Sequence, residues 1–470
     1  MKKEAKIFFV SFILIFVSFF LFKINSKADS SVDIGTTSFE LFRQVVAYTY
    51  RDFVDQFDLK EKLNQTLEKI YNTLNYGGFK TKLFVIKSSS LKDQMNDFEN
   101  YYNQIFEEIN KSSVNFESVI DSKKLDNVQK EIYKNFYRSI KTKEGFLKFT
   151  IRSYCSTLDN YTEYMGPKEY KTFKESIQGG NFSGVGIVMM RENRDKGEVV
   201  VVEVIENSPA EESGILPGDR IIKVNDKDIT SDSLDVVQSM IRGPENTTVK
   251  LTIKRKEKVM DFNLKRRIIH INSVKSFNNL EVPVIRIKTF SVGTSKEFLE
   301  AYKKLNQPSV FIIDLRNNGG GLLDESINIL SYFVGPNKVG VKLKRRNQVE
   351  QVFYTKYPKQ INYSKIAILT NGYTASASEI FAQSMKDYLK DDVIIVGNKT
   401  YGKNTVQTLY NLIDNGVLKL TIGKYFTLSN RDIYKDKVAL DYEVNLKDFN
   451  LTEYYTDKDS QYKKAVELLK

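Results

Sequence analysis

The chain has 470 residues, 41% hydrophobic and 12% aromatic, which is enough to build two or three domains with real cores. Its net charge of +12 comes from lysines scattered along the whole length, not from one dense block. That pattern describes a solvated basic surface and gives no ground for a nucleic-acid partner. A single cysteine, Cys155, and a single histidine, His270, exclude an internal disulfide, a cysteine metal cluster and a multi-histidine metal site.

At the N-terminus, Lys2, Lys3 and Lys6 precede an apolar run from Ile7 to Phe22 that Lys23 closes. With the small-x-small stretch Ser26-Lys27-Ala28, this predicts an export signal over residues 1–28. It reads as a signal peptide or a retained signal anchor, cleavage being the favoured of the two. Either form places the body in the periplasm or cell envelope, and the anchor form ties it to the cytoplasmic membrane. No cysteine follows the run closely, which excludes lipoprotein anchoring there. Residues 35–155 carry apolar side chains at helical spacing, as in Leu41, Val45, Val46 and Phe53, and again in Ile105 and Ile109. Tyr76-Gly77-Gly78 interrupts the first helical stretch. This region shows no catalytic pattern and is expected to be a helical lid or docking arm.

Around Gly179 the texture changes. Gly184-Val185-Gly186-Ile187 leads into the β-branched run Val199 to Val202. Then Ser208-Pro209-Ala210 and Gly214-Ile215-Leu216-Pro217-Gly218-Asp219 mark tight turns before a strand over 220–224. A helix is expected over 233–241 and a strand over 248–254. With these two motifs in order, residues 180–268 resemble a PDZ domain. The resemblance implies peptide binding at Gly184, Val185, Gly186 and Ile187: Gly184 and Gly186 supply a loop whose N–H groups receive a free, apolar polypeptide C-terminus added as an extra strand, and Ile187 lies in the pocket wall.

Beyond Val282, strand-like and helical runs alternate: strands over 310–314, 366–369 and 393–396, and helices over 322–333 and 376–389. This predicts an α/β layer fold. No Gly-x-Ser-x-Gly elbow is present, and His270, inside Arg266-Arg267-Ile268-Ile269-His270-Ile271, reads as a cap or packing residue of a connecting strand. The turn Asn371-Gly372-Tyr373-Thr374-Ala375-Ser376 opens a helix, where unpaired N–H groups could stabilise an oxyanion. Ser376-x-x-Glu379 is equally the pattern of a capping box, which needs no chemistry. Lys403, in Tyr401-Gly402-Lys403, becomes a base only if burial keeps it neutral, and the ordinary state of one lysine among many is solvated.

Taken together, Ala375-Ser376-Ala377-Ser378-Glu379-Ile380, Tyr401-Gly402-Lys403, Thr405-Val406-Gln407, Asp314-Leu315-Arg316-Asn317-Asn318 and Gly320-Gly321-Leu322-Leu323 resemble the carboxy-terminal processing (tail-specific) serine protease family. The resemblance covers about residues 156–470. It implies an α/β, ClpP/crotonase-like layered protease core over 269–470 plus about 156–179, with the PDZ domain inserted in it and the helical region preceding it. It also implies Ser376 as nucleophile, Lys403 as base, Gln407 orienting the lysine, and the N–H groups of Ala377 and Gly320 as oxyanion donors. Glu379 stands between cap and active-site support, and Asp387 is expected to be structural. No metal or cofactor is implied. The partners implied are exported or envelope polypeptides with apolar C-termini, and self-association is left open. Two departures stand out: Gly319 where the family commonly has proline, and Asn404 where it commonly has glycine. The rival readings are a catalytically silent PDZ scaffold and a basic nucleic-acid or envelope-surface binder, the export signal arguing against nucleic acid.

Overall fold

The computed structural model describes residues 39–125, 127–177, 182–191, 198–205, 207–229, 234–269, 272–446 and 454–470. The expected export signal, part of the glycine-rich entry at 179–181, and His270 lie outside these residues. No helix among the described residues is long and apolar enough to cross a membrane.

Among the described residues, 40–158 hold six helices, the longest being Leu59–Tyr76, Leu91–Lys111 and Lys143–Leu158. Asp58, Ser90 and Thr142 cap these three by accepting a first-turn N–H. Their apolar faces meet in one core, where Phe42 stacks on Phe98 at 4.8 Å with Tyr154 edge-on to Phe42. That core is continuous with Leu418, Leu420, Ile422 and Tyr425 of a sheet in the C-terminal half. The Val54 N–H donates to the Thr421 carbonyl at 3.0 Å, and the Tyr410 hydroxyl to Asp52 at 2.8 Å. The region expected to be a lid or docking arm is therefore a cover that shares its core with the sheet, because its apolar stripes have no other surface to bury.

The segment from Phe182 to Ile269 builds its own core from Val201, Ile221, Val249, Leu251 and Ile253. Its strands run in the order Ile187–Arg191, Val199–Val204, Arg220–Val224, Thr248–Arg255, Lys258–Lys265. Ile187–Arg191 is an edge strand. Phe182–Gly184 pairs antiparallel with Arg267–Ile269, so the chain enters and leaves this unit side by side. That is how a domain is inserted into another.

The rest forms two sheets. A six-stranded sheet has the order Val274–Phe277, Val284–Ile287, Val310–Asp314, Lys365–Thr370, Val393–Gly397, Tyr442–Glu443, with every pairing parallel except the first. Alternate residues of each strand serve two cores. Phe311, Ile313, Ile366 and Ile368 face helices that include Leu323–Val334 and Ala377–Leu389, while Ile312, Ala367 and Leu369 face the C-terminal helix Ser460–Leu469. The second sheet is antiparallel and centres on Val417–Phe426, which pairs with Glu163–Met165, Val339–Arg345 and Thr405–Asn411. Arg316, fully buried, joins Asp314 and Asp459 at 2.8 Å each and so fastens the C-terminal helix under the parallel sheet. The Asp314-Leu315-Arg316 motif thus has a structural task.

Candidate active site

Three parallel strands end side by side, and the loops beyond their C-terminal ends bring the expected residues together, the usual place for chemistry in such sheets. Lys365–Thr370 leads to Ser376, Val310–Asp314 to Gly320, and Val393–Gly397 to Lys403. The loops are knitted by the Ala375 N–H to the Asn318 carbonyl at 3.0 Å and the Tyr401 N–H to the Thr374 carbonyl at 2.9 Å. The Thr374 hydroxyl donates to the Leu315 carbonyl at 2.9 Å.

Ser376 stands at the start of helix Ala377–Leu389 with φ 58° and ψ −121°, a conformation that costs a non-glycine residue about 1 to 3 kcal/mol and persists only where the surroundings impose it. It is fully buried, and its side chain meets the hydroxyl of the buried Tyr425. The Ser378 hydroxyl is buried and unpaired among the described residues, but it sits within the helix and not at the strained turn.

Glu379 decides the geometry. One carboxyl oxygen accepts the N–H of Gly402 at 2.6 Å; the other accepts those of Lys403 at 2.9 Å and Ser376 at 2.8 Å. A single buried group therefore fixes both the serine turn and the lysine loop. Burial pushes this carboxyl above its ordinary pKa, while the Thr400 hydroxyl and the N–H groups of Lys403, Gly402 and Ser376 pull the other way. Besides lying in the first turn of the helix, it joins that turn to the lysine loop.

Lys403 is 7% exposed. Desolvation lowers its amine from 10.5 to about 7, helped by the neighbouring Lys419 and opposed by Asp159 and Glu379. Gly402 takes φ +89°, which turns the chain inward just before it. The lysine carbonyl accepts the buried Tyr425 hydroxyl, which also lies beside the Ser376 side chain. The Nζ atom lies 4.8 Å from the centre of the Tyr161 ring. Gln407 is placed differently from expectation: its amide nitrogen donates to Thr405 and Thr421, and its carbonyl oxygen has no partner among the described residues, so the bond that would orient Lys403 is not made. At one departure from the family pattern, Asn404 donates to Asp432 at 3.1 Å, which anchors the loop where glycine has nothing to offer. At the other, Gly319 is buried.

Of the two expected oxyanion donors, the Ala377 N–H is at the first helical position, beyond the reach of an intrahelical acceptor. The Gly320 N–H instead donates to the Asn318 side chain at 2.9 Å. The Asn318 side chain folds back two residues on, as asparagine does in turns, so a substrate oxygen at Gly320 has to displace it. Gly320, at φ +104°, still borders the serine turn, since a Cβ there would lie 2.9 Å from both the Ala377 nitrogen and the Ser376 Cβ. Gly320→Ala is expected to lower kcat about 10²-fold, by filling the space a substrate carbonyl must enter, with a smaller effect on KM. An unchanged kcat would show that the carbonyl lies elsewhere.

Asp387 accepts from Gln383 at 2.8 Å and from the Ser429 N–H at 3.0 Å, tying the helix to the loop after strand Val417–Phe426. Sequence reasoning missed Tyr161, Tyr425 and Asn318. Only Asn318 had a local signal, the Asn-x-Gly spacing.

In the inserted unit, Gly186 takes φ +83°, and a Cβ there would come 2.1 Å from that of Ser208. The Val185 and Gly186 carbonyls accept from Ala210 and Ile205 at 2.9 Å each. The loop thus opens a groove of about 210 Å³ between the edge strand and helix Leu234–Ile241, lined by Gly186, Ile187, Met189, Leu234, Gln238 and Arg242.

This is a PDZ-bearing protease fold with a serine at a strained strand-to-helix turn. The model of peptidase family S41 matches residues 281–444, and that of the PDZ domain residues 200–255. A probable CtpA-like serine protease of Staphylococcus epidermidis is 34% identical over 339 residues, 71% of this chain and 68% of the relative. One of Staphylococcus aureus is 35% identical over 326 residues, 68% of this chain and 64% of the relative. The chain thus spans about two thirds of the length of these curated relatives. Among solved structures, the photosystem II D1 C-terminal processing protease aligns over 93% of this chain and 100% of its own, at 20% identity and a TM-score of 0.46. The chain belongs to peptidase family S41 and is a serine-type peptidase with a PDZ domain.

Proposed function

We propose that this chain is an exported endopeptidase that cleaves polypeptides near their C-termini, with Ser376 as nucleophile, Lys403 as general base and the PDZ domain holding the substrate's free tail. The observation that carries this reading is the Glu379 carboxyl, which grips the backbone of a strained, buried serine and of a buried lysine whose amine is lowered to about 7. Lys403 takes the Ser376 proton as its oxygen attacks the peptide carbonyl, and returns it to the departing amine. A water then attacks the ester as it gives a proton to Lys403, which passes that proton to the Ser376 oxygen as the acid product leaves. The Ala377 N–H is the first candidate to receive the oxyanion. The apolar, glycine-opened groove and its edge strand suit an apolar C-terminal segment. Export rests on the basic start and apolar run of residues 2–23.

The test is cleavage of one peptide with an apolar end, offered with a free or an amidated C-terminus. The amidated form is expected to lose at least about tenfold in kcat/KM, because the loop N–H groups then face a neutral amide. Equal cleavage of both forms would remove the tail-binding role of Gly184 and Gly186. Cleavage that survives Ser376→Ala would remove the nucleophile. Alkaline phosphatase fused after Glu40 is active only outside the cytoplasm, so an inactive fusion would remove export.

A further inference from the structure

Lys403 faces charged or titratable groups from every element around it. These are Lys419 on strand Val417–Phe426, Glu379 on the helix after Ser376, and Asp159 and Tyr161 on the loop leading to strand Glu163–Met165. Tyr425 meets its backbone carbonyl. Dry surroundings and Lys419 disfavour the ammonium. A base that releases its proton easily must nonetheless hold one for the lifetime of the tetrahedral intermediate.

The ring of Tyr161 is built to face the amine. Asp159 accepts the N–H groups of both Tyr161, at 2.9 Å, and Thr162, at 2.6 Å, fixing a tight turn that presents the ring. The Thr162 hydroxyl oxygen accepts the Thr421 N–H at 3.3 Å, which docks the turn on the same strand that carries Lys419 and Tyr425. At its outer end the Tyr161 hydroxyl meets Tyr401, two residues before the lysine, and burial keeps that hydroxyl protonated. The Nζ atom lies 4.8 Å from the ring centre, inside the range where an aromatic face attracts a cation.

We propose that Tyr161 is a positioning residue for Lys403, its ring face receiving the ammonium that forms when the base takes the proton of Ser376. The ring then supplies the stabilisation that Gln407, whose carbonyl oxygen stays unpaired among the described residues, does not provide. This rests on Lys403 being the base.

The experiment uses the full chain with Tyr161→Phe, Tyr161→Leu, and phenylalanine of increasing ring fluorination at 161, which keeps the shape while draining the face of charge. Two readouts are taken. One is the acid limb of kcat/KM against pH, and the other is the pH dependence of Lys403 labelling by trinitrobenzenesulfonate, followed by mass spectrometry. Tyr161→Phe is expected to keep the wild-type midpoints. Leucine and the fluorinated rings are expected to move both down by about 0.4 to 1.5 pH units, the size of a desolvated cation–ring attraction. Midpoints that stay put, or rise because water enters, would overturn the proposal. If leucine disrupts folding, the fluorinated series decides alone. Lys403→Ala run in parallel separates the two readings: cleavage that survives it removes the base, while the labelling midpoint still reports the ring contact without any need for cleavage.

Discussion

Lys403→Met is expected to lower cleavage by about 10² to 10⁴-fold while making the fold more stable. The loss follows from removing the proposed base, an amine that burial lowers to about 7 and whose backbone Glu379 ties to the serine turn. The gain follows from the cost of burying that amine. In the unfolded chain it binds a proton up to about pH 10.5, and in the folded chain only to about 7, so folding expels a proton between those values. The folded-state value is depressed for a cation, so the penalty is full at and below pH 7 and fades as pH rises through the window. The shift sets an upper bound of about 5 kcal/mol, and relaxation of the pocket brings the expected gain to roughly 2 to 4 kcal/mol. Urea unfolding of both chains at pH 7 and near 10.5 measures it. Methionine fills the lysine's volume without its charge, so the gain should be large at the first pH and small at the second. A loss of stability at pH 7 would mean that the amine is well solvated or firmly paired.

The same residue shows what could be read from the sequence and what could not. Strands such as Val310–Asp314 and Val393–Gly397 were legible because both faces are buried, which writes an unbroken apolar run. The glycine loop of the inserted unit was legible because positive φ demands glycine. The antiparallel sheet was not, since its central strand Val417–Phe426 holds Lys419, whose burial depends on Glu163 from a distant part of the chain, at 2.6 Å. Tyr161 was invisible for the same reason: nothing near it in sequence announces a lysine above its ring. The helices of the N-terminal cover were legible as helices, but their partner was not, because an apolar stripe does not name the surface it covers. The bond from the Gly320 N–H to the Asn318 side chain was not foreseen, because family resemblance passes over so local an effect.

Glu379 is the residue on which both halves of the site depend, and Glu379→Gln is expected to reduce kcat/KM about 10³-fold. The carboxyl accepts three N–H groups with two oxygens. A glutamine has one acceptor and adds two donors. Its best orientation keeps the oxygen on Ser376 and Lys403 and turns the amide nitrogen toward the Gly402 N–H. That leaves one buried donor unpaired against another, at a cost of about 1 to 3 kcal/mol. The alternative orientation loses two bonds and is worse. Gly402 sets the inward turn of Lys403, so the loop relaxes where the proposed base is held, and a displacement of about 1 Å is enough for a loss near 10²-fold. Added to this is the loss of the negative charge that favours the lysine's protonated form. The two effects separate by measurement. Loop displacement lowers kcat at every pH, whereas loss of the charge moves the acid limb downward. A Glu379→Gln chain with wild-type kcat and an unmoved limb would reduce Glu379 to a helix cap, and the coupling between serine turn and lysine loop would have to lie in the Ala375–Asn318 and Tyr401–Thr374 backbone bonds instead.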